Sequence, residues 1–254
     1  MLGHMKRRGW RRAAAILAVL VLVLLAPAGG AAAEHSGSLD SIQPPSPPNQ
    51  PANAAPAPCD DRAYNLLGGR WKEPLGWLYQ SSTTPSGLGS SAVLTVLKRS
   101  FDNITGARND CGLADTVSAT SSYLGTTSFA PSVTRRSRCA TKDGRNVVGF
   151  GPLPSGILAV TCVRSNSSGG MTEIDVRVNS NLDWALSVSS CAFFEELLEP
   201  TMTHEIGHAY GLGHVGEQKH GRLTMSTTSD GPCSNAETTL GRGDVRGLRH
   251  LYPL

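Results

Sequence analysis

The chain has 254 residues, with 23 Lys plus Arg against 20 Asp plus Glu and a formal charge of +3, which leaves room for one or two domains. Five of the cations, Lys6, Arg7, Arg8, Arg11 and Arg12, fall in the first twelve residues and no acid precedes Glu34, so residues 34–254 carry 18 cations against 20 acids and a charge of −2. The basic excess belongs to the N-terminus and gives no reason to expect nucleic acid as a partner.

After those cations comes an apolar run, Ala13 to Ala26; Pro27-Ala28-Gly29-Gly30 breaks it and Ala31-Ala32-Ala33 offers small residues for cleavage. Residues 1–33 therefore read as a secretory signal peptide. Fourteen apolar residues fall short of the ~20 that span a bilayer, and no cysteine directly follows them for a lipid, so no stable membrane anchor is expected after cleavage. The mature chain is expected outside the cell. Residues 34–58 hold seven prolines among Ser, Asn, Gln and Ala and lack the large apolar side chains of a core, which predicts an extended, disordered spacer. The folded domain is then 59–254. All six cysteines (59, 111, 139, 162, 191 and 233) lie within it, and an even number in an exported chain argues for three disulfides.

Within the domain, Leu75-Gly76-Trp77-Leu78-Tyr79 reads as a first strand bounded by Pro74 and a turn-rich stretch. Ser90 or Ser91 is placed to cap a helix whose apolar positions Val93, Leu94, Leu97, Phe101 and Ile104 repeat at helical spacing and face a core. Between 111 and 138 the signal is poor, with Tyr123 to Thr126 a hint of a strand. Asn146 to Phe150, Gly156 to Val163 and Glu173 to Asn179 read as further strands, the last alternating with period two so that one face is buried and the other polar. Four or five short strands with one early and one late helix predict a small mixed sheet with helices packed on a face.

The most informative stretch is His204-Glu205-Ile206-Gly207-His208-Ala209-Tyr210-Gly211-Leu212-Gly213-His214. On a helix, His204 and His208 lie about 40° apart on one face, so both imidazoles reach one ion at ~2.1 Å, with Glu205 beside them. His214 cannot join them on a continued helix, which would carry it about 9 Å further along the axis. The helix has to stop, and Gly211 is the residue that enters a left-handed conformation most easily. The pattern predicts one Zn²⁺ held by His204, His208 and His214, a fourth position open to water, and Glu205 next to that water as general base. Upstream, Pro200 suits a first helical position, and Met202, Ile206 and Ala209 face away from the ligands. Cys162 is expected to pair with Cys191, since the strand end and the segment leading into this helix both approach the cleft.

These eleven residues, with Met225 in Leu223-Thr224-Met225-Ser226 eleven positions after His214, resemble the metzincin zinc metallopeptidases, and their surroundings are most similar to the matrixin-type members. The resemblance covers about residues 71–253 and is most specific from Met202 onward. It implies an α+β, metzincin-like zincin fold: a small twisted mixed sheet, a backing helix, an active-site helix, and a short C-terminal subdomain ending in a helix. It implies a secreted monomeric endopeptidase acting on peptides or proteins, with Glu205 catalytic, one catalytic Zn²⁺, and Met225 in a turn beneath the metal. The closing run from Thr239 to Tyr252 looks like the family's last helix; by that match Asp244 holds the methionine turn through buried hydrogen bonds, and as a helix-start carboxylate it is equally suited to the dipole. Gly156 to Val163 would be the edge strand to which a peptide adds.

Departures from the family are specific. No cysteine-bearing propeptide is recognisable, Cys59 in Pro58-Cys59-Asp60 being the one candidate for that role. Outside the triad, residues 34–254 hold only His35, His220 and His250, too few and too scattered for a second, structural zinc. Ca²⁺ has Glu173 and Asp175 as its candidate ligands, and Thr227 stands where some relatives carry a metal-binding tyrosine. The pocket for the side chain after the cut bond would be lined by Tyr210, Val215 and Ser226 to Ser229, none charged, which predicts an apolar or aromatic preference, whereas Asp230, just beyond, would invite Lys or Arg if it reaches in. A second class of function fits the same residues: a zinc-stabilised extracellular binding protein that keeps the peptidase fold and has lost activity.

Overall fold

The computed structural model describes residues 55–254 and the backbone of one further strand, β1 (His35–Ser38). The stretch 1–33 read as an export signal lies outside the described residues, as does the rest of the segment read as a spacer up to residue 54.

After β1 and the two-residue β2 (Asn65–Leu66) come β3 (Leu75–Tyr79), the long helix α1 (Ser90–Thr105), β4 (Ser121–Thr126), β5 (Val147–Gly151), β6 (Ala159–Ser165) and β7 (Met171–Asn179). Short strands β8 (Trp184–Ala185) and β9 (Glu196–Leu197) lead into α2 (Leu198–Ala209), followed by β10 (Leu212–Gly213), the one-turn α3 (Glu217–His220) and α4 (Arg242–Leu251). The main sheet has the order β1-β6-β7-β5-β3-β4. Pairs β3–β4, β3–β5 and β5–β7 are parallel, whereas β6 runs antiparallel to both β7 and β1. This is a mixed α/β architecture, compatible with α+β. No helix among the described residues is long and apolar enough to cross a membrane.

Side-chain alternation explains how the layers meet. Leu75, Trp77 and Tyr79 of β3 point into the core, where Trp77 stacks on Phe101 of α1 at 4.2 Å between ring centroids. Val93, Val96, Leu97, Phe101 and Ile104 give α1 its buried stripe. The predicted serine cap is replaced: Gly89 is the N-cap residue, without a side-chain cap, because Ser90 already lies inside the first turn. Ile174, Val176 and Val178 of β7 face the same core. The opposite face of the sheet is not left to solvent, since the loop before β5 folds over it and buries Val133, Leu153, Val160 and Cys162 as a second cluster.

Three disulfides are present, Cys59–Cys111, Cys139–Cys162 and Cys191–Cys233. The expected Cys162–Cys191 pairing is therefore incorrect, and strand parity is the reason. Thr161 points to the α2 side of β6, where it meets Glu205, so its neighbour Cys162 points to the other face, under the loop that carries Cys139.

Pro200 is the third residue of α2 rather than the first. Its missing N–H still costs nothing, because the first four helical amides have no intrahelical acceptor. Met202, Ile206 and Ala209 are fully buried in the core. At the C-terminus Val245, Leu248, Leu251 and Tyr252 are buried, and the Tyr252 hydroxyl accepts the Trp71 amide at 3.0 Å, tying the last helix to the start of the domain.

Candidate metal centre

Helix α2 ends at Ala209; the amide of Gly211 still reaches His208 O at 2.9 Å, and Gly211 then takes φ +96°. A side chain there would be strained by that backbone and would overlap the carbonyl of Gly69. The turn delivers Leu212–Gly213 to an antiparallel pairing with Asn65–Leu66, and the chain comes back over the helix.

As a result the Nε2 atoms of His204, His208 and His214 form a triangle with all three sides 3.0 Å. Nδ1 of His204 faces the Thr224 carbonyl at 2.7 Å and Nδ1 of His208 faces the Leu212 carbonyl at 2.8 Å. A carbonyl can only accept, so these Nδ1 atoms carry the protons and their Nε2 lone pairs point at one another. Burial, with the neighbouring imidazoles adding to it, holds His204 down to about 3 and His208 well below the ordinary range, so both stay neutral. Converging neutral imidazoles repel as bare lone pairs and are satisfied by a cation, and a triangle of this size seats an ion ~2.1 Å from each nitrogen. Among the described residues this is the one group of three or more His, Cys, Asp or Glu able to hold a metal ion.

Glu205 projects beside the triad and is wholly buried. Thr161 of β6 donates its hydroxyl toward the Glu205 carboxylate and lies 3.1 Å from the Glu205 carbonyl, so the strand and the metal helix meet at the candidate base. Met225 lies beneath α2 against Gly207, where a Cβ would overlap the thioether sulfur. The turn is fixed from both sides, by Val215 N to Met225 O at 2.9 Å and by Asp244. One Asp244 oxygen accepts the Thr224 and Gly241 amides, each at 3.0 Å, so the two roles weighed for this residue coexist: it caps α4 and holds the segment that positions His204. Its burial pushes its pKa up to about 7, against the pull of those amides.

Other candidate residues fall elsewhere. Glu173 and Asp175 are buried but do not gather into a cation site. Glu173 is engaged by Arg164 at 3.1 Å and by the amides of Asp143 and Gly144, and burial raises Asp175 to about 8.

Tyr210, expected among the lining of an uncharged side pocket, lies elsewhere. Tyr210 is fully buried in the core, its hydroxyl donating to Thr120 O at 2.8 Å. A small cleft beside the start of the metal helix is lined by Pro200, Thr201 and Ser229 and by Glu196, Asp230 and Glu237. Glu237 is buried, and its Oε1 has no hydrogen-bond partner among the described residues. Burial raises the pKa of all three carboxyls, most strongly that of Glu237, on which Asp230 and Glu217 also act. Glu237 escaped notice in the sequence because it is 23 residues beyond His214 with no motif around it.

Fold and site together define a mixed α/β protein with a three-histidine centre able to hold a metal ion. No protein-family model and no curated protein matches the chain.

Proposed function

We propose that the chain is an exported zinc endopeptidase of the metzincin type. The observation that supports this reading best is the 3.0 Å triangle of imidazole nitrogens with the Glu205 carboxylate supplied from the same helix. When bound, Zn²⁺ supplies Lewis-acid polarisation of the scissile carbonyl and acidifies the attacking water. Glu205 takes the proton of that water and hands it to the leaving amine. The Thr161 hydroxyl aligns one Glu205 oxygen from the floor of the cleft, and the buried surroundings exclude bulk water from the transfer. Three disulfides favour an oxidising compartment, which joins the N-terminal export pattern in supporting secretion.

Glu205→Gln tests the mechanism. The variant is expected to bind one Zn²⁺ with unchanged stoichiometry and to lose about 10²- to 10⁴-fold in hydrolysis of a quenched peptide library. Full activity in that variant rejects the proposed chemistry. A wild-type protein that binds zinc but shows no chelator-sensitive cleavage of the library is instead a zinc-stabilised binding protein.

A further inference from the structure

Residues 132–140 fold into a small hairpin on the sheet face opposite the metal helix. Val133 pairs antiparallel with Cys139, the Ala140 amide donates to Ser132 O at 2.8 Å and the Thr134 amide donates to Arg138 O at 2.7 Å. At the tip the Ser137 amide donates back to Thr134 O at 3.1 Å and Ser137 takes φ +55°, while Thr134 Oγ1 accepts the amides of Arg136 and Arg138. Val133 roots the hairpin in the second buried cluster, and the Cys139–Cys162 disulfide ties it to β6. The tip therefore presents Arg135, Arg136 and Arg138, all three exposed, from a backbone with little freedom.

The charge is as local as the geometry. Residues 131–145 hold five cations, Arg135, Arg136, Arg138, Lys142 and Arg145, against one acid, Asp143. That is +4 within residues 34–254, which sum to −2, so the rest of 34–254 carries −6. Asp143 is taken by Arg145 at 3.1 Å, and among the described residues Arg135, Arg136 and Arg138 have no ion-pair partner. Arg177 of β7 adds a guanidinium at the base of the hairpin. Its Nη2 donates to Pro131 O at 3.4 Å, and its Nε is buried without a hydrogen-bond partner among the described residues. Burial first, and then Arg135, disfavour the charge on Arg177. Asp175, on the same face of β7, does not offset these cations, because burial keeps its carboxyl protonated up to about 8. The cluster is thus relieved by an anion from outside rather than by a neighbouring acid.

We propose that this hairpin docks the chain on an anionic polysaccharide, whose sulfate or phosphate esters are gripped by Arg135, Arg136 and Arg138. A guanidinium offers paired N–H donors that match the oxygens of such an ester, and repetition along the polymer lets one strand engage all three arginines while its condensed counterions are released. The closed turn reduces the ordering that binding would otherwise cost. A basic tip on an otherwise acidic body favours a slender, flexible polyanion that meets the hairpin alone, and it disfavours a wide duplex whose second strand would face the acidic remainder. Thr161 faces the metal helix and its neighbour Cys162 faces the hairpin, so a polymer seated here leaves the metal centre open. The inference does not rest on the peptidase reading.

The test titrates the whole folded chain, over a series of salt concentrations, with fluorescently labelled dextran sulfate, phosphorylated dextran, unmodified dextran and duplex DNA. At least one of the two charged dextrans is expected to bind, with an affinity that falls steeply as salt rises, and unmodified dextran is expected not to bind. Arg135→Gln/Arg136→Gln/Arg138→Gln is expected to weaken that binding by about tenfold or more and to reduce the slope of log Kd against log salt by about two. Arg135→Lys/Arg136→Lys/Arg138→Lys keeps the charge without the paired donors and is expected to retain the slope while losing part of the affinity. Arg62→Gln/Lys72→Gln/Arg246→Gln removes as much charge from exposed positions elsewhere and is expected to stay within about twofold of the parent. Thermal unfolding checks that each variant is folded. Binding of one charged dextran and not the other supports the site and names the ester. Binding of neither, an equal loss in the variant altered elsewhere, or tighter binding of duplex DNA than of both dextrans overturns the proposal.

Discussion

At the scale of single residues, two buried positions show how far this chain departs from simple patterning. Gly207 is the last of the three residues between His204 and His208, and it is glycine because the Met225 sulfur occupies the space where a Cβ would stand. Gly207→Ala is expected to cost about 1–3 kcal/mol of stability, as overpacking does, and to weaken Zn²⁺ binding by displacing Met225 or the helix. Denaturant unfolding and a competitive chelator titration measure the two effects, and a fully stable variant with native zinc affinity refutes the contact. Asp175 makes the second case. Burial first, and then the Glu173 and Asp143 carboxylates, raise its folded pKa from 3.8 to about 8, outweighing Arg164 and the Ser132 amide. The unfolded chain ionises at this residue near pH 4 and the folded one only near pH 8, so between those values the native state holds the extra proton. Its contribution to stability is complete below pH 4, declines as pH rises through that window, and is flat above it. Asp175→Asn keeps the shape without the charge. It is expected to match the parent near pH 4 and to exceed it by about 1–3 kcal/mol at pH 8, measured by urea unfolding at both values. Parallel curves for the two proteins would eliminate Asp175 as the source. The period-two alternation of β7 revealed that Glu173 and Asp175 share a face; that this face is buried depends on a loop whose sequence carries no period at all.

At the scale of elements, legibility followed length and repetition. Strand β3, helix α1 and the core of β7 each present a periodic apolar stripe, and α2 carries a motif whose spacing implies both the helix and its end at Gly211. The two-residue strands β2, β8, β9 and β10 are too short to have a period, yet the pairing of β10 with β2 is what returns His214 to the triad. The three converging histidines were therefore readable from the motif, whereas the means of bringing the third one home was not. Disulfide partners were hidden for a related reason, since they depend on which face of β6 Cys162 occupies and on which loop crosses that face. The side cleft arises where the start of α2 meets the segment after Met225, and its charge comes from Glu196, Asp230 and Glu237, residues spread over 42 positions. Burial first, and then Asp230 and Glu217, raise the folded pKa of Glu237 well above its ordinary value, so its contribution to stability is lost as pH rises through the carboxylate range. Glu237→Gln keeps the size of the side chain without the ionisable proton and is expected to match the parent near pH 4 and to exceed it at about pH 8 in urea unfolding. Equal stability of the two proteins at both values would eliminate Glu237 as the source.

At the scale of the whole molecule, the metal centre joins parts of the chain that have little else to hold them. His204 and His208 come from α2 and His214 from the segment after β10, while the carbonyls of Leu212 and Thr224 fix two of the rings. Asp244 of α4 holds Thr224 in turn, and Arg70 and Trp71, near the start of the described domain, reach Leu251 O and Tyr252. A cation at the triad would thus stabilise the C-terminal third against the sheet, because the unfolded chain has no preformed triangle of nitrogens to offer it. At a free metal concentration a thousand times the Kd, the linkage is worth about 4 kcal/mol. For a domain of about 200 residues that corresponds to a Tm roughly 8–16 °C higher than after chelation. The disulfides are untouched by a chelator, so calorimetry with and without it isolates the metal contribution. Glu205→Gln is expected to keep the whole shift, because the role proposed for it is proton transfer and not metal binding, and His214→Ala to lose most of it. A Tm indifferent to both chelator and added Zn²⁺ would mean that the triangle holds no ion under those conditions, and the proposed chemistry would fall with it.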